Sequence, residues 1–304
     1  VKRIYLSIAF LCLWFVQIIA QAEQLTIIYP HVSAPYDEIY EQINKGISSV
    51  YPNQINQIKL PSTFNPSNIA DTITSNKVIA LGKRGLTVAK YLSNETSVAI
   101  GALPIRPNGF AGVSLVSSPE SLFNSLNQLA PHIKHISVVF TEKSSWIIGE
   151  ATKQAKLKGL TLETLQVEGM KDAAKAYNKI FDQKIELDNH AIWLPLDGIT
   201  ANEKVIVPVI LEKAWERRMV VFSSKPNHAK RGALFSAVPD NFALGEQLAK
   251  FIINEQLPAK VDNELSHVSP LTTIKLAVNL RTASHLGMNY SPKERANFAM
   301  TFPN

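Results

Sequence analysis

The chain has 304 residues, 31 Lys and Arg against 25 Asp and Glu, 46% apolar and 18% charged residues, and one cysteine. Such a composition excludes disordered, collagen-like and disulfide-stapled chains, and the length suits about two domains, each with a core of its own. A net charge of +6 permits a nucleic-acid or anionic-membrane partner without requiring one.

The first residues change that reckoning. Val1-Lys2-Arg3 precede an apolar run from Ile4 to Ile19, broken by Ser7 and Gln17, and Ala20-Gln21-Ala22 follow. A basic start, a short apolar run and small residues at −3 and −1 predict a secretory signal peptide at 1–22, cleaved after Ala22. The run is shorter than the roughly 20 residues that span a bilayer. Cys12 lies inside it, behind bulky Phe10 and Leu11, which do not suit a lipoprotein site. Cleavage would leave an exported, periplasmic chain without cysteine, disulfide or thiolate. It would also remove Lys2 and Arg3 and weaken the argument for nucleic acid.

From Leu25 onward, short apolar runs alternate with amphipathic stretches. Leu25–Tyr29 predicts a strand closed by Pro30, and Pro35–Val50 a helix with Ile39, Ile43, Ile47 and Val50 on one face. Ile55–Leu60 is a strand, Pro66–Thr74 a helix, Val78–Leu81 a strand, Leu86–Leu92 a helix and Val98–Ile100 a strand. A turn-rich stretch, Pro104–Gly112, reads as a hinge, and the alternation restarts behind it. Glu120–Leu129, Ile147–Lys158, Ala173–Phe181 and Glu203–Arg217 predict helices between strands at Ile136–Phe140, Leu160–Val167, Ala191–Leu196 and Met219–Phe222. Ala233–Val238 is extended, Asn241–Asn254 helical, Val261–Pro270 an irregular link, Thr273–Val278 a strand, and a last helix runs from Arg281 to Gly287. This is an α/β chain with two Rossmann-like lobes built on parallel sheets.

The residues offer little to catalysis. The seven histidines are scattered, and only His132 and His135 stand three apart, as solvated residues before a strand. Gly82-Lys83-Arg84-Gly85 follows a strand and opens a helix, a place where anions bind, yet it lacks the spacing of a phosphate or dinucleotide loop. Asp197, ending a buried strand, reads equally as a ligand contact or as a loop cap. Lys225, His228, Lys230 and Arg231 form a basic surface loop or an anion-binding rim, and Glu212–Arg218 a solvated helix face. No base, nucleophile and oxyanion donors can be grouped, and no cofactor or metal is expected.

Arg231-Gly232-Ala233-Leu234, Ser236, Pro239-Asp240, Phe242 and Leu244-Gly245, with Asn279-Leu280-Arg281-Thr282-Ala283 and Leu286-Gly287-Met288, carry a resemblance. The chain resembles the ABC-transporter substrate-binding proteins of the tryptophan/tyrosine-binding type, with the type I periplasmic-binding-protein fold. It departs from them at Glu255-Gln256, at Ser291 and in Pro104–Gly112. The resemblance implies a monomer of two lobes joined by a three-strand hinge, 23–110 with 239–260 and 111–238 with 261–304. A small molecule, an amino acid or an aromatic metabolite, would bind in the cleft, and the partner would be an ABC permease or, alternatively, a membrane sensor kinase. By position it implies contacts at Tyr29, Pro35, Tyr36, Gly82, Lys83 and Asp240, and at Thr141, Ser144, Ser145, Asp197, Ser223 and Ser224. Tyr29, Tyr36 and Trp146 are the aromatics nearest those loops, Trp193 belongs to the core, and Asp197 is the partner for an amino-acid ammonium.

Overall fold

The computed structural model describes residues 24–107, 109–183, 187–254 and 267–303. The expected leader with its cleavage site, and the chain around Leu257-Pro258, lie outside the described residues.

The alternation of the sequence becomes two twisted sheets. In the first lobe β1 (Leu25–Pro30), α1 (Asp37–Val50), β2 (Ile55–Leu60), α2 (Pro66–Asp71), β3 (Lys77–Leu81), α3 (Gly82–Ala89), β4 (Ser97–Leu103) and β5 (Gly112–Ser117) follow one another. Every residue of β1 is buried, because helices cover both faces of the sheet, whereas β2 at its edge has several exposed residues. In the second lobe come α4 (Pro119–Leu129), β6 (His135–Phe140), α5 (Ser145–Leu157), β7 (Thr161–Gln166), α6 (Met170–Asp182), β8 (His190–Leu194), α7 (Ile206–Glu216), β9 (Val220–Ser223), α8 (Asn227–Arg231) and β10 (Phe235–Pro239). The chain then returns to the first lobe with α9 (Asn241–Asn254) and β11 (Val268–Leu271). It ends in the second with β12 (Ile274–Asn279), α10 (Leu280–His285), α11 (Pro292–Arg295) and β13 (Met300–Phe302).

The first sheet has the order β11-β5-β4-β3-β1-β2 and is parallel throughout; the second is β13-β12-β10-β9-β8-β6-β7, with β12 antiparallel to β10. Each sheet carries apolar clusters on its two faces, Ile27, Ile43 and Leu248 against Ile28, Val88 and Ile100 in the first lobe. In the second they are Phe123, Trp193 and Phe222 against Val139, Ile180 and Ile210.

The chain crosses between sheets at Ser118, at Asp240 and at Thr272-Thr273. Two of these differ from the sequence-based partition. Gly112–Ser117 was expected beyond the first boundary, but it pairs with β4 and β11 and is a strand of the first sheet, so that crossing moves from residue 110 to Ser118. Val268–Leu271, expected in an irregular link of the second lobe, is the outer strand of the first sheet. Pro104–Gly112 is therefore no hinge. It connects two strands of the first sheet, β4 and β5, and the Ser114 hydroxyl donates to the Ile105 carbonyl at 2.7 Å.

The crossings are tied to one another. Ser118 caps α4 through the Ser121 amide, its own amide donates to the Leu271 carbonyl at 2.8 Å, and the Ser121 hydroxyl donates to the Thr272 carbonyl. The Gln247 side chain accepts from the Thr272 amide and hydroxyl and donates to the Pro270 carbonyl. Asp240 accepts from the Ala243 amide at the start of α9 and pairs with Lys275 at 3.2 Å.

α9 covers the first sheet by lying against α1 with two glycines at the contact. A β-carbon on Gly46 would sit 2.0 Å from the Phe242 carbonyl oxygen, and one on Gly245 2.1 Å from that of Ile43. Backbone presses on backbone there, so no rotamer change relieves an added methyl. Gly245→Ala is expected to destabilise the protein by about 3 kcal/mol, read as a lower urea midpoint.

Candidate functional site

The strands of the two sheets direct the loops that follow them towards a cleft of about 320 Å³ between the lobes. That volume lies at the lower end of the roughly 300–1,000 Å³ found for small-molecule sites. The first lobe contributes Pro104, Ile105 and Arg106 after β4, and Val116 on β5. From the second come Lys143, Ser144, Trp146 and Ile147 after β6, and Trp193 through Ile199 along and after β8, Leu194 excepted. The lining is largely apolar, and its charged residues are Arg106, Lys143 and Asp197.

Asp197 is the best-connected group in the cleft. Its Oδ2 accepts from the Thr141 amide at 3.0 Å, the Thr141 hydroxyl at 2.6 Å and the Ser144 hydroxyl at 3.1 Å. Its Oδ1 accepts from the amides of Ile199 and Thr200 at 2.9 and 3.2 Å. Burial alone would push this carboxyl up, but hydrogen bonds from Thr141, Ile199 and Thr200 outweigh it and hold the group below its ordinary value. The carboxylate closes its own loop and clamps it to the loop after β6. Its roughly four lone-pair sites are filled by five donors, which leaves no free acceptor for an ammonium.

The other expected contacts divide. Ser144 and Asp197 meet in the cleft wall and Thr141 joins them from outside the lining, while the Ser145 hydroxyl turns back to Glu142 at the start of α5. Ser223 is fully buried between the Leu194 carbonyl and His228 Nδ1, and Ser224 accepts from the Trp193 indole at 2.9 Å, so neither lines the cleft. Trp193 has no solvent exposure and packs edge-on against Phe123 as a core residue does, yet it contributes to the lining. Tyr29 lines a separate hollow of about 80 Å³ with His31, Asp37, Tyr40, Glu41 and Lys59. Tyr36 is 65% exposed, Pro35 and Lys83 are exposed, and Gly82 sits beneath the Tyr40 hydroxyl. Asp240 serves the crossing described above. Strand order explains the split: β4 neighbours the crossing strand β5, whereas β3 and β1 lie progressively farther out.

Behind the cleft, Glu203 gathers the basic stretch after β9. It pairs with Lys225 at 2.5 Å and Arg231 at 3.3 Å. His228, expected in a surface loop, is fully buried on α8, with Nε2 3.8 Å from Glu203, too far for a hydrogen bond. The run Ser223–His228–Glu203 resembles a nucleophile–base–acid relay, but its serine is sealed from solvent. Burial, only partly countered by Glu203, pushes His228 down to about 4. A larger hollow of about 580 Å³ beside Trp215 and Arg281 belongs to the second lobe alone. Among the described residues no three His, Cys, Asp or Glu side chains are grouped to hold a metal.

Comparison with known proteins adds to this geometry. A family model described as ABC transporter substrate binding protein matches residues 107–295, more than half of the chain. No curated protein matches the sequence. Among solved structures the chain is similar to an ABC domain from Streptococcus pneumoniae in complex with L-Trp (19% identity, TM-score 0.51, 92% of this chain and 100% of that one). It is also similar to a ligand-free, open substrate-binding protein with adhesive properties from Clostridium difficile (16% identity, TM-score 0.59, 92% and 99%). A conserved domain protein from Vibrio cholerae gives 16% identity and a TM-score of 0.50 over 92% and 99%. At these identities the likeness is one of fold.

Two outcomes follow from the buried polar groups. Asp197→Ala strands three backbone amides and is expected to cost about 3 kcal/mol in urea unfolding, with Asp197→Asn milder. His228 stays neutral in the folded chain while the unfolded chain protonates near pH 6.5, so stability falls as pH drops from 6.5 towards 4. The slope for this one group is at most about 1.4 kcal/mol per pH unit. His190, also depressed by burial, adds to the loss. His228→Gln should therefore show a smaller drop in melting temperature between pH 7 and pH 4.5 than the parent, without abolishing it.

Proposed function

Because the chain belongs to the ABC transporter substrate-binding protein family, we propose that it is the periplasmic binding component of an ABC importer, which closes on a small ligand and delivers it to a membrane permease. The family binds small ligands, is not enzymatic and is typically extracytoplasmic. The basic start, apolar run and small residues of 1–22 support export to the periplasm with cleavage after Ala22.

One observation carries the reading: the cleft draws its walls from both lobes, with Val116 of its lining two residues before the crossing at Ser118. A ligand touching Ile105 and Val116 on one side and Trp146 and Ile147 on the other binds the closed arrangement more tightly than the open one. The population shifts by that difference in affinity and no more. Lobes with separate cores move as bodies, and the short crossings take up the rotation. Trp146, Trp193 and the aliphatic lining suit an apolar or aromatic ligand body, and the L-Trp held by the Streptococcus pneumoniae relative is of that kind.

A ligand found by thermal-shift screening should be recovered chemically unchanged and should reduce the radius of gyration in solution scattering. Trp146→Ala should weaken it about tenfold or more, the loss of one aromatic contact with its buried area, measured at a temperature where the variant is fully folded, because Trp146 also packs on the second lobe's core and its loss lowers ligand-free stability. A ligand whose affinity ignores Trp146→Ala and Ile105→Ala binds elsewhere and overturns the proposal.

A further inference from the structure

We infer that the cleft selects a ligand bearing a carboxylate and an apolar or aromatic body but no charged amine, with Arg106 and Lys143 receiving the carboxylate from opposite lobes. This rests on the cleft being the binding site.

The lining carries two cations against one acid, and that acid's accepting positions are taken. Asp197 keeps its charge, but the five donors on its two oxygens leave it no free lone pair for a direct hydrogen bond from an ammonium. Three of those donors are backbone amides of loops that Asp197 itself holds, so they cannot turn away without undoing the wall. Nearby acids are engaged or belong elsewhere. Glu142 lies outside the lining and accepts from Gln166 Nε2 at 2.8 Å and from the Ser145 hydroxyl at 3.1 Å. Asp37 and Glu41 line the separate hollow, which has its own cation in Lys59.

The cations are unspent. Arg106 and Lys143 are exposed, and among the described residues neither forms an ion pair. A guanidinium presents a planar fork to a carboxylate, and a flexible ammonium supplies a second, less directional charge. Their placement on facing lobes couples ligand charge to closure. Closing an empty cleft confines two like charges, while an anion between them replaces repulsion with two attractions. A zwitterion would carry its own cation into the same space, desolvated and without an acceptor, at a cost that a deaminated analogue escapes. Trp146, Ile105, Val116 and Ile147 then take the apolar body.

Matched probes separate the two charges on one ring. Calorimetry of the full chain with indole-3-propionate, L-tryptophan and tryptamine, and with 3-phenylpropionate, L-phenylalanine and phenethylamine, varies the carboxylate and the amine independently. The carboxylate should bind most tightly in at least one series, the amino acid at least tenfold more weakly, and the amine not measurably. Arg106→Gln, an exposed position that leaves folding intact, should weaken the carboxylate tenfold or more and flatten its salt dependence, with Arg106→Lys restoring part of both. An amino acid that matches or exceeds its deaminated twin overturns the inference. So does a carboxylate indifferent to Arg106→Gln combined with Lys143→Gln, or the failure of both carboxylates to bind. The underlying reading fails separately, when binding of whichever probe is tightest ignores Trp146→Ala.

Discussion

One buried carboxylate with five hydrogen bonds sets the shape of the second lobe's side of the cleft. Asp197 joins loops that leave two adjacent strands, β6 and β8, 56 residues apart in the chain. A buried charge is tolerable only when its lone pairs are met, and here backbone amides meet most of them. The wall thereby becomes rigid without metal or disulfide. A rigid wall matters to a protein whose ligand acts by differential contact, because slack in the loops would let the open state make the same contacts.

The crossings between lobes show the complementary design. Their polar ties run through Ser118, Ser121, Gln247, Thr272, Asp240 and Lys275. Most engage backbone at the starts of α4 and α9 or around the end of β11, so they fix where the chain passes without filling the space between the lobes. Bulky packing lies mainly inside each lobe, with Val116 and Ile274, both close to crossings, reaching the other lobe's core. Stiffness and freedom are thus segregated, and the cleft lies at their border.

Strand runs such as Val78–Leu81 and Ile136–Phe140 were readable because buried parallel strands are largely apolar segments. β5 was not, since Gly112-Val113-Ser114-Leu115-Val116-Ser117 sits behind a turn-rich stretch and only pairing with β4 and β11 reveals its sheet. The quoted resemblance proves to rest on residues that brace the second lobe as well as on Gly245. The Asn279 side chain accepts from the Thr282 amide and donates to the Ala229 carbonyl, the Thr282 hydroxyl donates to the Gly232 carbonyl, and Ser236 accepts from the Ala229 amide. Such residues identify a fold without touching ligand. The loops after β6 and β8 could be placed at the cleft because they follow buried strands, as could Asp197 with its two readings. Arg106 and Ile105 could not, because which strand neighbours a crossing depends on sheet order, and order is not written along the chain.

The glycine contact between α1 and α9 also sets a timetable for synthesis. Residues 25–117 contain five of the six strands of the first sheet, yet one face of it is covered only in part, by α1, until Asn241–Asn254 arrives, and its outer edge stays open until Val268–Leu271. Gly46 cannot find its neighbour before most of the second lobe has been made. The lobe begun first is therefore completed after the strands β6 to β10 of the other have emerged, and a nascent chain carries an unfinished apolar surface for most of its elongation.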